Sequence, residues 1–256
     1  MLLLHGTGAS AHSWADLLPL LSDNATLVAP DLPGHGYTHG ATLETLTLAR
    51  VAADLEALIQ ALDVPPVTVV VGHSAGAPLA ILWSRAAQRP PKAIVGFNPS
   101  LVPPPDLYNR LLAPLVHPFA TSSAVTSWLA AIAGRTWLVG GLLDSTRSKL
   151  PAEQRARYAR LFNDPAHVQG AMGFMAGTDL QGFLDTLRDP GIPTRFVLGA
   201  QDHWVPRRPL QRVLARHFPK AEVETWEGGH LLHEEYPARA ATFIRATMQR
   251  ATLRTA

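Results

Sequence analysis

The stretch Val67–Leu79, VTVVVGHSAGAPL, most constrains what this chain can fold into. An apolar, β-branched run stops at GHSAG, residues 72–76, and a helical pattern follows at once, which predicts a strand, a tight turn and a helix. Glycines two residues before and two after Ser74 relieve the crowding that such a turn creates. Ser74 would lie at a helix N-terminus, where free N–H groups and the helix dipole favour negative charge. The pattern is typical of a nucleophilic serine, and the flanking strand and helix distinguish it from a chance match.

The composition fits one large globular domain and excludes several kinds of site. The 256 residues are 47% hydrophobic, which is enough for a sizeable core. The absence of cysteine excludes disulfides, thiolate nucleophiles and cysteine-based metal sites. No apolar run approaches the roughly 18 residues of a membrane span, and the opening MLLL is too short for a signal peptide. We therefore expect a cytoplasmic protein without a transmembrane segment.

The charged residues and histidines indicate neither nucleic acid nor metal as a ligand. The formal net charge is only +2, and the densest arginine clusters, at 155–160 and 207–208, are typical of a solvated helix face and a surface loop. The eleven histidines form no helical metal-binding pair, since His35 and His39 fall in a turn. We expect no metal and no cofactor.

The first strand, at residues 1–5, runs into the glycine-rich turn HGTGAS, residues 5–10. This turn is too short and wrongly spaced for a nucleotide-binding loop, and it can instead aim the N–H of Thr7 into the space above Ser74. Together with the N–H of Ala75, that donor would form an oxyanion hole. His5 has two interpretations: a buried ring that ties down the loop, which we favour, or a proton-transfer group.

The next segments predict strands that alternate with helices. A helix begins at Ser13, its N-cap, and further helices span 43–62, with an apolar stripe from Leu48 to Leu62, and 75–88; strands span Ala25–Ala29 and Lys92–Phe97. Asp31 follows the strand at 25–29 in a turn-rich loop, where an aspartate more often binds backbone N–H groups than acts in catalysis. This alternation implies a parallel sheet with the site at the carboxyl ends of its strands.

The alternation breaks between residues 101 and 190. This segment opens with three prolines and continues as helical pieces rich in Leu, Ala, Trp and Met, so we interpret it as a helical lid inserted into an α/β core of residues 1–100 and 191–256. Several of its apolar residues either line a substrate pocket or, as we favour, form the core of the lid: Trp128, Trp137, Met172, Phe174 and Met175. The pocket interpretation adds His5 and His73 to the two methionines.

The sheet resumes with strands at Thr194–Leu198 and Glu222–Trp226. Asp202 and His230 each fall just after one of these strands, so nucleophile, acid and base follow in that order. His230 would take the Ser74 proton and Asp202 would orient the imidazole.

Rival residues fit these roles less well. His233, the nearest alternative base, lies inside the helix after the turn, where a surface or capping role is expected. Asp31, Asp179 and Asp185 do not follow the strand that precedes the histidine strand, and Asn98, at another strand end, lacks the charge of an acid.

These motifs together carry a family resemblance. HGTG at 5–8, GHG at 34–36, GHSAG at 72–76, LGAQD at 198–202 and GH at 229–230 resemble the α/β-hydrolase fold across essentially the whole chain. HGTGASAHSW, APDLPGHG, GHSAGAPLAI, GGHLLHEEYP and above all the lid segment PAHVQGAMGFMAGTDLQGFL resemble the magnesium-chelatase accessory hydrolases of bacteriochlorophyll biosynthesis. The resemblance implies a role beside magnesium insertion into protoporphyrin, with magnesium chelatase subunits as partners and no settled hydrolytic substrate.

The chain departs from the family pattern at its start. Members of the superfamily usually have two more strands before the one that opens here, so we expect the natural start to lie upstream and the strand at 25–29 to be an apolar edge.

Three functions fit these observations. The leading hypothesis is a cofactor-independent serine hydrolase that acts on an ester-like or activated carbonyl bond of a bulky apolar or porphyrin-like substrate. The alternatives are a porphyrin-binding helper of the chelatase that keeps the triad as a relic, and a carbon–carbon bond hydrolase or perhydrolase that uses the same triad.

Overall fold

Five short strands form one parallel sheet in the order β1-β2-β3-β4-β5. The computed structural model describes residues 1–102, 122 and 136–253. The first four strands are buried on both faces, as the near-continuous Val, Ile and Leu runs of a parallel sheet require. The strands are β1 (Leu2–Leu4), β2 (Val69–His73), β3 (Ala93–Phe97), β4 (Thr194–Gly199) and β5 (Glu222–Trp226).

Ten α-helices lie in the described ranges, with short 3-10 helices at Ala11–Trp14, Ser22–Asn24 and Leu43–Thr45. Within these ranges every helix is too short or too polar to span a lipid bilayer. The α-helices are α1 (Leu18–Leu21), α2 (Leu48–Ala61), α3 (Gly76–Ala86), α4 (Thr136–Ser145), α5 (Ala152–Phe162), α6 (Pro165–Gly177), α7 (Leu180–Thr186), α8 (Arg207–His217), α9 (Leu232–Glu235) and α10 (Pro237–Leu253).

Alternate residues along the strands belong to two hydrophobic core clusters, one on each face of the sheet. Leu2, Leu4 and Val70 point to the face that α2, α3 and α8 cover. Leu3 and Val71 point to the face that α1 and α10 cover. Burial on both faces fixes the register, because a one-residue slip would exchange the two sets.

The strand predicted at Ala25–Ala29 is longer than the paired segment that the structure shows. Only Val28 pairs in a ladder, with Leu2, through two hydrogen bonds: Leu3 N to Val28 O (2.8 Å) and Val28 N to Met1 O (2.9 Å). A longer ladder is limited by the three-residue length of β1 and by Pro30, which has no N–H to donate.

Two helices begin later than the sequence pattern predicts. The helix expected from Ser13 is a 3-10 turn capped by Ser10, followed by α1, because Pro19 is tolerated only in the first turn of a helix. The helix expected at 43–62 is a 3-10 turn and then α2, whose N-cap Thr47 accepts a hydrogen bond from Arg50 N. Its apolar stripe is buried only as far as Leu55, and Leu62 is exposed.

The described part of the predicted lid is helical. Residues 136–186 form α4 to α7 with short connections, and no strand occurs among them. The segment that contains Trp128 and the three prolines at 103–105 lies outside the described residues. The lid boundaries at 101 and 190 therefore stay a prediction.

Candidate active site

Ser74 occupies the turn between β2 and α3, with a left-handed backbone at φ +50°. Its N–H donates to Phe97 O (3.0 Å) at the end of the neighbouring strand β3. The crowding expected at this turn is present: a Cβ at Gly72 would lie 2.6 Å from Ala77 N, and one at Gly76 would lie 2.6 Å from His5 O. Both positions therefore require glycine, which confirms the predicted reason for the motif.

The glycine-rich turn after β1 lies directly against the serine. A Cβ at Gly6 would approach the Cβ of Ser74 to 2.9 Å and Nδ1 of His73 to 3.0 Å, so the chain passes as close to the serine as a glycine allows. Among the described residues, the N–H groups of Thr7 and Ala75 have no hydrogen-bond acceptor. Both donors therefore remain available.

Asp202 and His230 are joined by a hydrogen bond, from His230 Nδ1 to Asp202 Oδ2 at 2.8 Å. Both side chains are almost completely buried, at 3% exposure for His230 and 2% for Asp202. The second carboxylate oxygen accepts from the backbone N–H groups of Trp204 (2.7 Å) and Val205 (3.1 Å). The carboxylate is thus held at both oxygens, and the histidine tautomer that donates from Nδ1 leaves Nε2 as a proton acceptor.

The structure does not join the serine to this pair directly. Within the part of the chain that is described, the Ser74 hydroxyl makes no hydrogen bond to His230 or to any other side chain. Such bonds are often long before a substrate is bound and shorten in the reactive complex.

Asn98, which lacks the charge of a catalytic acid, holds the loop that carries His230, residues 227–231, here called the histidine loop. The side chain is buried at the end of β3, its Nδ2 donates to Gly229 O (3.0 Å) and His230 O (2.8 Å), and its Oδ1 accepts from Gly199 N (2.6 Å). His73 Nε2 donates to the same His230 carbonyl at 3.0 Å. The sequence signal was present, since a polar residue at the end of a buried strand needs partners, but those partners are more than 100 residues away.

His233 lies in the core, and the surface or capping role expected for it is wrong. It is completely buried, with its ring 4.3 Å from Trp14 and 4.5 Å from His73. Burial, with smaller contributions from the neighbouring His230 and His12, lowers the pKa of His233 to about 3, so the ring is neutral near pH 7. Burial also lowers the pKa of His73 well below its ordinary value, with the rings of His233 and His230 adding to the effect.

Two loop residues have the supporting roles that we favoured. His5 is buried, its Nδ1 donates to Gly6 O (2.9 Å), and its Nε2 accepts from Leu32 N (2.9 Å). Asp31 accepts from Ala11 N (2.7 Å) and from Tyr37 N (2.8 Å), which confirms that it binds backbone N–H groups. Both ring nitrogens of His5 are occupied, so the ring ties the turn after β1 to the next loop.

The candidate pocket residues of the lid differ in exposure. Phe174 is buried in the main core cluster, Met172 is half-buried, and Met175 on the same helix is exposed, as is Trp137. A cavity of about 640 Å³ lies between α7 and α8, and one of about 490 Å³ lies between the loop at 34–46 and α6. Neither cavity is lined by Ser74 or His230, so the substrate pocket stays a prediction.

Comparisons with known proteins agree with this architecture. A model of the alpha/beta hydrolase family matches residues 1–243. The magnesium-chelatase 30 kDa subunit of Rhodobacter capsulatus is 34% identical over 238 residues, which cover 91% of this chain and 81% of that protein.

Solved structures share the fold at low sequence identity. The epoxide hydrolase CorEH superposes with a TM-score of 0.75 at 19% identity, over 97% of this chain and 90% of that one. A thermophilic esterase from Thermogutta terrifontis gives a TM-score of 0.72 at 19% identity, over 98% and 89%. These similarities confirm the fold expected from the sequence, and because the two enzymes differ in name and activity, they carry no information on the reaction.

Proposed function

Because this chain belongs to the alpha/beta hydrolase family, we propose that it is a cofactor-independent serine hydrolase with Ser74, His230 and Asp202 as its catalytic triad. The observation that carries the proposal is the buried hydrogen bond of 2.8 Å between His230 Nδ1 and Asp202 Oδ2. It joins two residues 28 positions apart at adjacent strand ends, beside a serine held at φ +50° in a turn that requires glycines. If these residues only stabilised the fold, there would be no reason for a buried histidine–aspartate pair to lie beside a serine in a strained turn.

The mechanism follows from the hydrogen bond that His230 Nδ1 donates to Asp202. Nε2 of His230 accepts the Ser74 proton while the serine oxygen attacks the substrate carbonyl, and the charged imidazole is stabilised by the Asp202 carboxylate. The proton then passes to the leaving group, and water releases the acyl group by the reverse sequence. The N–H groups of Thr7 and Ala75, which have no acceptor among the described residues, would stabilise the negative oxygen of the tetrahedral intermediate.

The substrate class and the pathway rest on the relative from Rhodobacter capsulatus. Its name and its 34% identity over most of both chains support a magnesium-chelatase accessory role in bacteriochlorophyll biosynthesis. The substrate would then be an ester-like or activated carbonyl bond of an apolar, porphyrin-like molecule, and magnesium chelatase subunits would be partners. A cytoplasmic location belongs to the same proposal.

The test of the nucleophile is covalent labelling with a fluorophosphonate, which reacts with activated serines. We expect wild type to be labelled and Ser74→Ala to lose all labelling, because it lacks the attacking oxygen. Ser84→Ala is the matched control, since the Ser84 hydroxyl on α3 only donates to Ala80 O (2.6 Å). Equal labelling of wild type and Ser74→Ala would remove the nucleophile from the proposal. A screen of porphyrin methyl esters and simple aryl esters would then define the substrate.

A second candidate function is a non-catalytic helper of magnesium chelatase. Two observations favour it: the relative is named as a chelatase subunit, and the Ser74 hydroxyl makes no hydrogen bond to His230. Complementation of a pigment-deficient strain that lacks the protein separates the two functions. Ser74→Ala restores pigment if the protein is a helper, and fails to do so if hydrolysis is needed.

A further inference from the structure

The last residue of α4 and the four residues after it, 145–149, lie across the loop that carries the candidate base His230. We call residues 145–149 the anchor segment. The backbone N–H of His230 itself donates to Thr146 O (2.9 Å), and the next N–H, of Leu231, donates to Ser148 Oγ (2.8 Å). A Cβ at Gly229 would collide with the backbone of residues 146–148, so the two chains are in direct contact.

Glu235 ties the same two segments together. One carboxylate oxygen accepts from Lys149 N (2.8 Å) in the anchor segment, and the other accepts from Gly229 N (2.7 Å) in the histidine loop. Hydrogen bonds to a charged acceptor are stronger than those between neutral groups. The anchor segment thus binds the backbone of His230 and Leu231 directly, and it is linked to Gly229 through Glu235.

Trp204 connects the anchor segment to both members of the acid–base pair. Its indole N–H donates to Ser145 Oγ (3.0 Å), its backbone N–H donates to Asp202 Oδ1 (2.7 Å), and its ring lies 5.3 Å from the His230 ring at 33°. Trp204 is 44% exposed, although tryptophan is highly buried on average. Arg147 adds a second link through His203 Nδ1 (3.4 Å).

The backbone of the anchor segment is strained at its centre. Arg147 has a left-handed conformation at φ +60°, which for a residue with this side chain costs about 1 kcal/mol or more. Such strain persists only where surrounding contacts over-determine the conformation. Here the surrounding contacts are the hydrogen bonds to the loop that carries Asp202 and to the loop that carries His230.

We propose that the anchor segment, acting through Trp204 and the His230 backbone, positions the imidazole of His230 for catalysis, so that the predicted lid is part of the catalytic apparatus. The proposal rests on the triad proposed above. It makes Ser145, Ser148 and Trp204 positioning residues, and it couples the position of α4 to the geometry of the acid–base pair.

The first experiment is a double-mutant cycle on the Trp204–Ser145 hydrogen bond. Trp204→Phe keeps a ring beside His230 and loses the N–H, and Ser145→Ala loses the acceptor. We expect each to lower kcat for an aryl ester, and the rate of fluorophosphonate labelling, by about three- to tenfold. Ser145→Ala should leave KM unchanged, and the double variant should lose no more than either single one.

The second experiment observes the hydrogen bond between His230 and Asp202 in the absence of any reaction. The proton between His230 Nδ1 and Asp202 gives a low-field NMR signal, which Asp202→Asn identifies by removing it. We expect Trp204→Phe and Ser145→Ala to shift or broaden this signal in the absence of ligand. Failure of wild type to react with the fluorophosphonate would count against the proposed function, whereas the NMR signal tests the anchor segment separately.

Two control variants match these changes outside the anchor segment. Tyr37→Phe alters an aromatic residue that is 89% exposed. Ser22→Ala removes a hydroxyl that donates to Pro19 O (3.2 Å), as the Ser145 hydroxyl does to Leu142 O (2.6 Å). Both controls should behave as wild type. An unchanged signal and unchanged kcat in Trp204→Phe and Ser145→Ala, or losses that add fully in the double variant, would overturn the proposal.

Discussion

The nucleophile half of the site is held in place mainly by close steric contacts, whereas the acid–base half combines one such contact, at Gly229, with long-range hydrogen bonds. Around Ser74, Gly72 and Gly76 face backbone atoms at distances that leave no room for a Cβ, and Gly6 lies directly against the side chains of Ser74 and His73. Around His230, the backbone is held by long-range hydrogen bonds from Asn98, His73 and the anchor segment. Steric exclusion leaves a signature in the local sequence, whereas hydrogen bonds between distant segments do not.

The largest effect is expected from breaking the steric contact at Gly76. An alanine Cβ there would collide with the carbonyl oxygens of Leu4 and His5, both rigid backbone atoms, so we expect Gly76→Ala to lower the free energy of unfolding by about 4 kcal/mol or more. Gly141→Ala in α4 is the matched control: its Cβ would meet no atom within 4 Å, and the change should stabilise by up to about 1 kcal/mol. Urea denaturation measures the stability of both variants. Similar stability of the two would show that the turn at Ser74 has room for a Cβ at residue 76.

A smaller effect is expected from the acid–base half at Asn98. Asn98→Asp keeps the size and the tolerance for φ +43°, but it replaces the amide donor that faces Gly229 O and His230 O with a carboxylate oxygen. We expect a loss of about 3 kcal/mol in the free energy of unfolding and a fall in kcat larger than any rise in KM. Asn163→Asp, at an exposed helix end, is the control. Ester kinetics that match wild type would mean that the hydrogen bonds of Asn98 do not set the position of His230.

The smallest effect concerns the contact between the predicted lid and the helix that follows His230. Glu234 on α9 accepts a hydrogen bond from Tyr158 OH on α5 (2.6 Å), and burial raises the pKa of Glu234 to about 8. The native state therefore binds the extra proton between pH 4.5 and 8. The stabilisation is complete below about pH 4.5 and is lost as the pH rises through 8.

Glu234→Gln removes this pH dependence, because glutamine resembles the protonated acid at every pH. At pH 9 we expect the variant to be more stable than wild type by about 1–3 kcal/mol, with little difference at pH 5. Urea denaturation at the two pH values checks the sign. A wild-type stability that rises between pH 6 and pH 9 relative to the variant would contradict the assignment.

Much of the nucleophile half was predictable because short motifs mark it, although Gly76 also meets Leu4 and His5 from a distant part of the chain. The turn at Ser74 and the role of Asp31 followed from short motifs. The extent of the strand at 25–29 was wrong because the length of its partner β1 decides it. The burial of His233 was missed because Trp14 and His73, which cover it, come from other elements.

The sequence by itself determined the alternation of strands and helices, the glycine-limited turn at Ser74 and the order of the candidate triad along the chain. It did so because backbone sterics and hydrophobic periodicity act over a few residues. Only the tertiary structure decided that Asp202 meets His230, that Asn98 holds the histidine carbonyl and that Trp204 bridges to Ser145. Those contacts join residues between 28 and 132 positions apart, and the directions of such side chains are set only when the strand ends and the predicted lid come together.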